Sequence, residues 1–261
     1  MAAPADPVAG FYDALADDYH LIHRDWERSL HAQGEALDRL IAATLGPGRR
    51  RILDCSAGIG TQALGLAMRG HEVHAADISA ASVDRLRHEA AARGLAVTAA
   101  IADMRALPDR IAGDFDVVLS CDNALAHMLA PGDLARAAAA MAAKTRPGGL
   151  VLVSVRDYDA ILAERPAFVA PGLYDAPSEE RIMFQLWRWQ EDAPIYDVRL
   201  FLLIANGEDW RVHHYRTRLR AVTRAEVSAA LGDAGLGEIA WHEADAVPFH
   251  QPVVTARRGG G

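Results

Sequence analysis

The sequence predicts a doubly wound α/β fold: a mostly parallel seven-stranded sheet with helices on both faces, interrupted late by an antiparallel β insertion. Three observations predict it. Near-continuous apolar runs alternate with helical periodicity from residue 51 to 155. The first run, Arg51-Ile-Leu-Asp-Cys55, passes through Gly58 and Gly60 into a helical stretch, and Asp77 closes the next run. An acid on the order of 20 residues beyond such glycines is where this fold holds ribose hydroxyls. From residue 180 three long β-type runs follow one another instead.

Composition sets the outer limits. The 261 residues are 51% hydrophobic with a formal net charge of −8. That suits one large domain with an insertion and argues against a nucleic-acid partner. No apolar run reaches the roughly 18 residues of a membrane span, and Met1-Ala-Ala-Pro-Ala-Asp-Pro7 lacks the basic-then-apolar form of a secretion signal. Cys55 and Cys121 have no metal-type spacing. They suit a reducing cytoplasm, as packed thiols and not as a disulfide.

Residues 1–10 read as disordered and 11–48 as a helical cap. Phe11, Leu15, Tyr19, Ile22 and Trp26 recur at helical spacing, and a second helix over 26–45 stops at Gly46-Pro-Gly48. The main domain takes 49–164 and 223–258. Its expected order is strand 51–55, helix 61–69, strand 72–77, helix 80–93 with Ser79 as N-cap, strand 96–102, strand 115–121, helix 133–145 and strand 150–155. Helix 224–234, with Thr223 as N-cap, and strands 238–243 and 252–257 complete it. The insertion covers 165–222: a Pro- and Gly-rich loop, then strands 180–190, 195–205 and 210–222. It predicts either a lid or a contact between copies of the chain. Its aromatics suit either role, and its arginines suit an anionic substrate or a solvated face.

Ligands of this fold class bind at the carboxyl ends of strands. Those ends carry Asp54, Asp77, Asp103, Cys121-Asp122-Asn123 and Arg156-Asp157-Tyr158. The turn after the first strand opens with Asp54 and has no third glycine, so it suits a cationic ligand better than a pyrophosphate.

This turn, Asp54-Cys-Ser-Ala-Gly-Ile-Gly-Thr-Gln62, resembles the first motif of class I S-adenosylmethionine-dependent methyltransferases, with Ser56 where many members carry glycine. Tyr19-His-Leu-Ile-His-Arg-Asp-Trp26, Ser120-Cys-Asp-Asn-Ala-Leu-Ala-His-Met128, Val155-Arg-Asp-Tyr-Asp-Ala-Ile-Leu162 and Phe249-His-Gln-Pro-Val-Val254 extend the resemblance to the glycine/sarcosine N-methyltransferase group. The resemblance implies S-adenosylmethionine as cofactor and a small-molecule substrate. It implies a cofactor site of Asp54, Ser56, Gly58, Gly60, Asp77, Ile78, Asp103, Met104 and Cys121, with Tyr12 from the cap. Asp103 and Met104 would flank the adenine. It implies a substrate site of Asn123, Arg156, Tyr158 and Trp26, with Tyr19, His127 and Asn123 as the catalytic group. A planar guanidinium at Arg156 suits a substrate carboxylate. An amine acceptor needs no strong base. A phenol or indole carbon needs one, and His20, His23, His127, His213, His214 and Tyr19 are candidates. The alternative is therefore a larger aromatic scaffold methylated at N, C or O, and a remote alternative is a cofactor-binding module without catalysis. No metal is implied, and a homo-oligomer is allowed.

Overall fold

A computed structural model describes residues 6–176, 179–243 and 249–260. The main sheet is built from β1 (Arg51–Asp54), β2 (Glu72–Asp77), β3 (Val97–Ile101), β4 (Phe115–Ser120), β5 (Thr145–Ser154), β10 (Leu236–His242) and β11 (Val253–Arg258), in the order β10-β11-β5-β4-β1-β2-β3. The pairs among β1 to β5 are parallel, and β11 runs antiparallel to both β5 and β10. The strand order reverses between β1 and β4, which opens a crevice at their carboxyl ends.

Helices cover both faces because the central strands are apolar on both sides. One face packs against α2 (Trp26–Leu45), α3 (Thr61–Ala67) and α4 (Ala80–Ala92), through Leu37, Ile41, Leu66 and Leu86. The other packs against α6 (Asp133–Lys144) and α8 (Arg224–Asp233), through Ala137, Met141, Val227 and Leu231. Ser79 caps α4, and Thr223 with Glu226 forms a reciprocal capping box on α8. Helices α2 and α3 touch backbone to backbone: a Cβ added to Gly65 would lie 2.3 Å from the Leu30 carbonyl oxygen.

The N-terminal segment departs from expectation twice. Helix α1 (Pro7–Leu15) begins inside the stretch read as disordered, because Asp6 caps it by accepting from the Val8 N–H at 2.8 Å. Residues 1–5 lie outside the described residues. The helical periodicity through Trp26 then breaks, and Tyr19–Ile22 form only a short 3-10 turn. The cause is tertiary: Asp18 is drawn to His213 and Tyr215 of the insertion.

The insertion is a four-stranded antiparallel sheet in the order β6 (Phe168–Ala176), β7 (Glu179–Trp189), β8 (Ile195–Asn206), β9 (Asp209–Arg220). The predicted loop over 165–178 is mostly the edge strand β6. Strand β5 likewise starts at Thr145 and not at 150. Helices α5 (Leu107–Arg110) and α7 (Tyr158–Glu164) fall outside the sequence expectation. The segment between α1 and α2 lies between the main domain and the insertion. The Arg181 guanidinium donates to the carbonyls of Leu21 at 3.0 Å and His23 at 2.6 Å on one side. On the other, Asp13 accepts from the Ser79 hydroxyl at 2.6 Å and the Ala81 N–H at 3.1 Å, pinning α1 over the start of α4.

Candidate active site

Two cavities meet at the carboxyl end of the main sheet. The first holds about 730 Å³ including its mouth, and is walled by the β1–α3 turn (Ser56, Ala57, Gly58), the end of β2 (Asp77, Ile78), the segment after β3 (Asp103, Met104, Arg105) and Cys121. The second holds about 1680 Å³ including its mouth, and reaches Asn123 and Arg156 on one side and Met183, Trp187, Val198 and Leu200 of the insertion on the other. Tyr12, Tyr19, Asp122 and His127 line both cavities.

The turn is built around two requirements. Gly58 has φ +52°, and a Cβ there would meet nothing within 4 Å, so its missing side chain leaves open room in the cavity wall. Gly60 has φ +102° and lies 3.0 Å from Leu64 and Leu86 by the same construction. It is therefore a packing glycine that does not line the cavity. Asp77 fixes the turn: Oδ2 accepts from the Gly58 N–H at 2.8 Å, and Oδ1 accepts from the Ser79 N–H at 2.9 Å. Burial pushes its carboxyl up, and these two N–H groups pull it back in part. Asp103 is clasped by Arg105, whose Nε lies 3.0 Å and 2.9 Å from the two carboxylate oxygens. Burial opposes its ionisation, and Arg105 outweighs burial.

At the junction, burial pushes the Tyr12 and Tyr19 phenols above their ordinary range. The Tyr12 hydroxyl and His127 Nε2 are 2.9 Å apart, while His127 Nδ1 is buried without a hydrogen-bond partner. Burial, then the Arg156 charge, lowers the imidazole to about 4, so it is neutral at neutral pH. Asp122 and Asn123 both adopt left-handed backbone, at φ 56° and 69°, which costs a non-glycine residue on the order of 1 kcal/mol and which Asp and Asn tolerate best. Asn123 accepts from the Arg156 N–H at 3.3 Å and donates to the Tyr158 hydroxyl at 2.9 Å. The Arg156 guanidinium lies over Trp187, 5.1 Å from the ring centre, and donates to the Tyr196 hydroxyl at 3.4 Å. Among the described residues no carboxylate pairs with it, and the neighbouring Asp157 faces Arg224 instead, at 3.6 Å.

Most residues expected from the sequence come together here: Ser56, Gly58, Asp77, Ile78, Asp103, Met104 and Cys121 on the first cavity, Asn123 and Arg156 on the second, and Tyr12, Tyr19 and His127 on both. Four do not reach a cavity. Gly60 is the packing glycine above. Asp54 is fully buried beneath the turn, where it accepts from the Ser56 N–H at 3.3 Å, and burial raises its carboxyl to about 8. Trp26 lies in a core with Leu30, Ile59 and Leu64, its indole N–H on the Thr61 hydroxyl at 3.0 Å. Tyr158 is buried, and its hydroxyl props Asn123 and meets the Tyr196 hydroxyl at 2.9 Å. Unassigned from the sequence were Gln62, Arg105, Asp122 and His250, whereas His23, a candidate base, lines the second cavity. For Asp122 the signal was its place at a strand end; for His250 it was only its place within a matched string.

Comparison with known proteins bears on this geometry. Residues 52–149 match a family model described as a methyltransferase domain. A glycine/sarcosine N-methyltransferase from Parasynechococcus marenigrum is 30% identical over 138 residues, covering 53% of this chain and 48% of that protein. The chain thus spans about half the length of the curated glycine/sarcosine relatives it matches. Among solved structures, Streptomyces venezuelae DesVI superposes with a TM-score of 0.78 at 18% identity, covering 94% of this chain and 98% of that one. CalS10 from Micromonospora echinaspora, an amino pentose methyltransferase solved with S-adenosylmethionine bound, superposes with a TM-score of 0.72 at 19% identity, covering 99% of both chains. Residues 52–149 are therefore similar to a methyltransferase domain, the fold is that of class I methyltransferases, and the sequence resembles the glycine/sarcosine N-methyltransferase group.

Proposed function

We propose that the protein is an S-adenosylmethionine-dependent methyltransferase whose acceptor is the nitrogen of a small amine bearing a carboxylate. One observation carries this reading: a cavity suited to a nucleoside opens, at Tyr12, Tyr19, Asp122 and His127, into a second cavity containing the Arg156 guanidinium, which pairs with no carboxylate among the described residues.

The first cavity fits the cofactor. The open wall at Gly58 leaves room for the methionyl part, Asp77 has lone pairs left for ribose hydroxyls, and Ile78 and Met104 offer faces to the adenine. When bound, S-adenosylmethionine supplies an electrophilic methyl group on a cationic sulfur. The chain's own work is chiefly alignment, which can supply roughly 7–11 kcal/mol of a barrier. Arg156 holds the acceptor carboxylate, Asn123 fixes the backbone of Arg156, and Tyr158 and Tyr196 prop both. The Tyr12–His127 pair is uncharged at neutral pH and closes the junction without repelling a cation.

The size of the second cavity and its apolar wall favour a second reading, an amino sugar or a larger aromatic scaffold. The test is methyl transfer from labelled S-adenosylmethionine to glycine, sarcosine, amino sugars and aromatic amines. Turnover confined to carboxylate-bearing amines supports the first reading. Turnover confined to the others supports the second.

A further inference from the structure

We propose that Asp122, paired with His250, receives the acceptor nitrogen as an ammonium where the two cavities meet and takes a proton from it. The inference rests on the methyl-transfer reading and adds the charge state of the substrate: an aliphatic amine that arrives protonated, not a phenol, an indole or an amide.

The placement is specific. Of the four side chains that line both cavities, Asp122 alone carries a carboxylate. One hydrogen bond and one ion-pair contact hold it. Its Oδ2 accepts from Gln62 Nε2 at 2.8 Å, and Gln62 donates in turn to Gln33 at 2.6 Å. Its Oδ1 lies 2.8 Å from His250 Nε2. The left-handed backbone at Asp122 and Asn123 turns the chain sharply just after β4, a strained conformation of the kind that gathers at functional sites. The Asp122 side chain is 16% exposed and the His250 side chain 45% exposed, so the pair runs from the junction to solvent.

The surroundings suit a cation. Tyr12, Tyr19 and His127 complete the junction without charge. His23 lines the second cavity, and its Nε2 is buried with no hydrogen-bond partner. Burial opposes the ionisation of Asp122, but His250 and Gln62 outweigh it and hold the carboxyl below its usual range. Among the described residues Asp77 lies on the donor side and Arg156 on the acceptor side. An ammonium between Asp122 and an Arg156-bound carboxylate matches that polarity.

The step balances. The ammonium N–H bond breaks, and its proton passes across the Asp122 carboxylate to water at the exposed edge of the pair, beside His250. The electron pair left on nitrogen forms the new N–C bond, while the pair of the breaking C–S bond stays on sulfur.

The test needs no known acceptor. Binding of S-adenosylhomocysteine, a neutral thioether, and of sinefungin, which carries an amine in place of the methylsulfonium, is measured by calorimetry for wild type, Asp122→Asn and Asp122→Glu. Asparagine suits the left-handed backbone, and binding of the thioether shows that a variant is folded. Removing a charge at close range lowers sinefungin affinity about tenfold in Asp122→Asn and thioether affinity less than about twofold. Asp122→Glu keeps the wild-type ratio within about threefold. Equal losses for both ligands, or no loss for either, overturn the proposal. A wild-type protein that binds neither ligand overturns the cofactor reading instead.

Discussion

Replacing Arg156 by lysine tests the acceptor anchor. A guanidinium has five N–H donors in a fixed fork. Among the described residues the Arg156 side chain donates to the Tyr196 hydroxyl, at 3.4 Å, and no carboxylate competes for the rest. A substrate carboxylate can therefore take two parallel bonds. Lysine keeps the charge but offers one good bond in place of two and gives up the flat stack on Trp187. A charge-assisted hydrogen bond contributes about 1.5–3 kcal/mol net. Loss of one, at about 2 kcal/mol, lowers kcat/KM for a carboxylate-bearing amine about 30-fold. Arg156 does not line the first cavity, so S-adenosylhomocysteine affinity by calorimetry stays within about twofold. An amine without a carboxylate loses much less. Wild-type kcat/KM on an amino acid in Arg156→Lys would refute the clamp and favour the larger neutral scaffold.

Other outcomes follow from the same geometry. Gly58→Val folds at the cost of a left-handed β-branched residue, on the order of 1–2 kcal/mol, but fills the open wall, so calorimetry detects no S-adenosylhomocysteine binding; normal affinity would move the cofactor elsewhere. Gly65→Ala drives a methyl into the Leu30 carbonyl across the α2–α3 contact and lowers stability by about 3 kcal/mol in urea unfolding. His127 titrates at about 4 when folded and about 6.5 when unfolded. Between those values the unfolded chain binds the extra proton, so the stability due to neutral His127 is whole above pH 6.5 and is lost as pH falls toward 4. Wild type should therefore lose about 2 kcal/mol relative to His127→Gln between pH 6.5 and pH 5; parallel stability curves for the two proteins would contradict the buried neutral imidazole.

The parts of the fold that were legible in the sequence are those dictated by local chemistry. Trp26–Leu45 and Glu72–Asp77 match the expected spans because Gly46-Pro-Gly48 stops one and Asp77 ends the apolar run of the other. Strand β6 was hidden because Pro171-Gly172 reads as a breaker. It is tolerated because β6 is an edge strand whose register shifts between Val169 and Gly172. The start of β5 was hidden by Arg146-Pro-Gly-Gly149 in the same way, at the register shift beside Phe115. In the site, positions set by the β1–α3 turn were readable, since strand ends converge in this fold. Side-chain direction was not. Trp26 and Tyr158 sit in the right strings but turn into the core, whereas Asp122 gains its place from Gln62 and His250, residues 60 and 128 positions away that only the folded chain brings together.

The two halves of the site have separate origins. The first cavity, proposed for the methyl donor, lies at the end of the main sheet, whereas the far wall of the second, proposed for the acceptor, comes from one face of β7 and β8, through Met183, Trp187, Val198 and Leu200. That sheet leaves the main domain after α7 and rejoins it just before the capping box of α8. Resurfacing its inner face would alter which molecule is accepted while leaving the turn, Asp77 and the junction residues unchanged. On the proposed reading, β7 and β8 are the place to graft a new specificity.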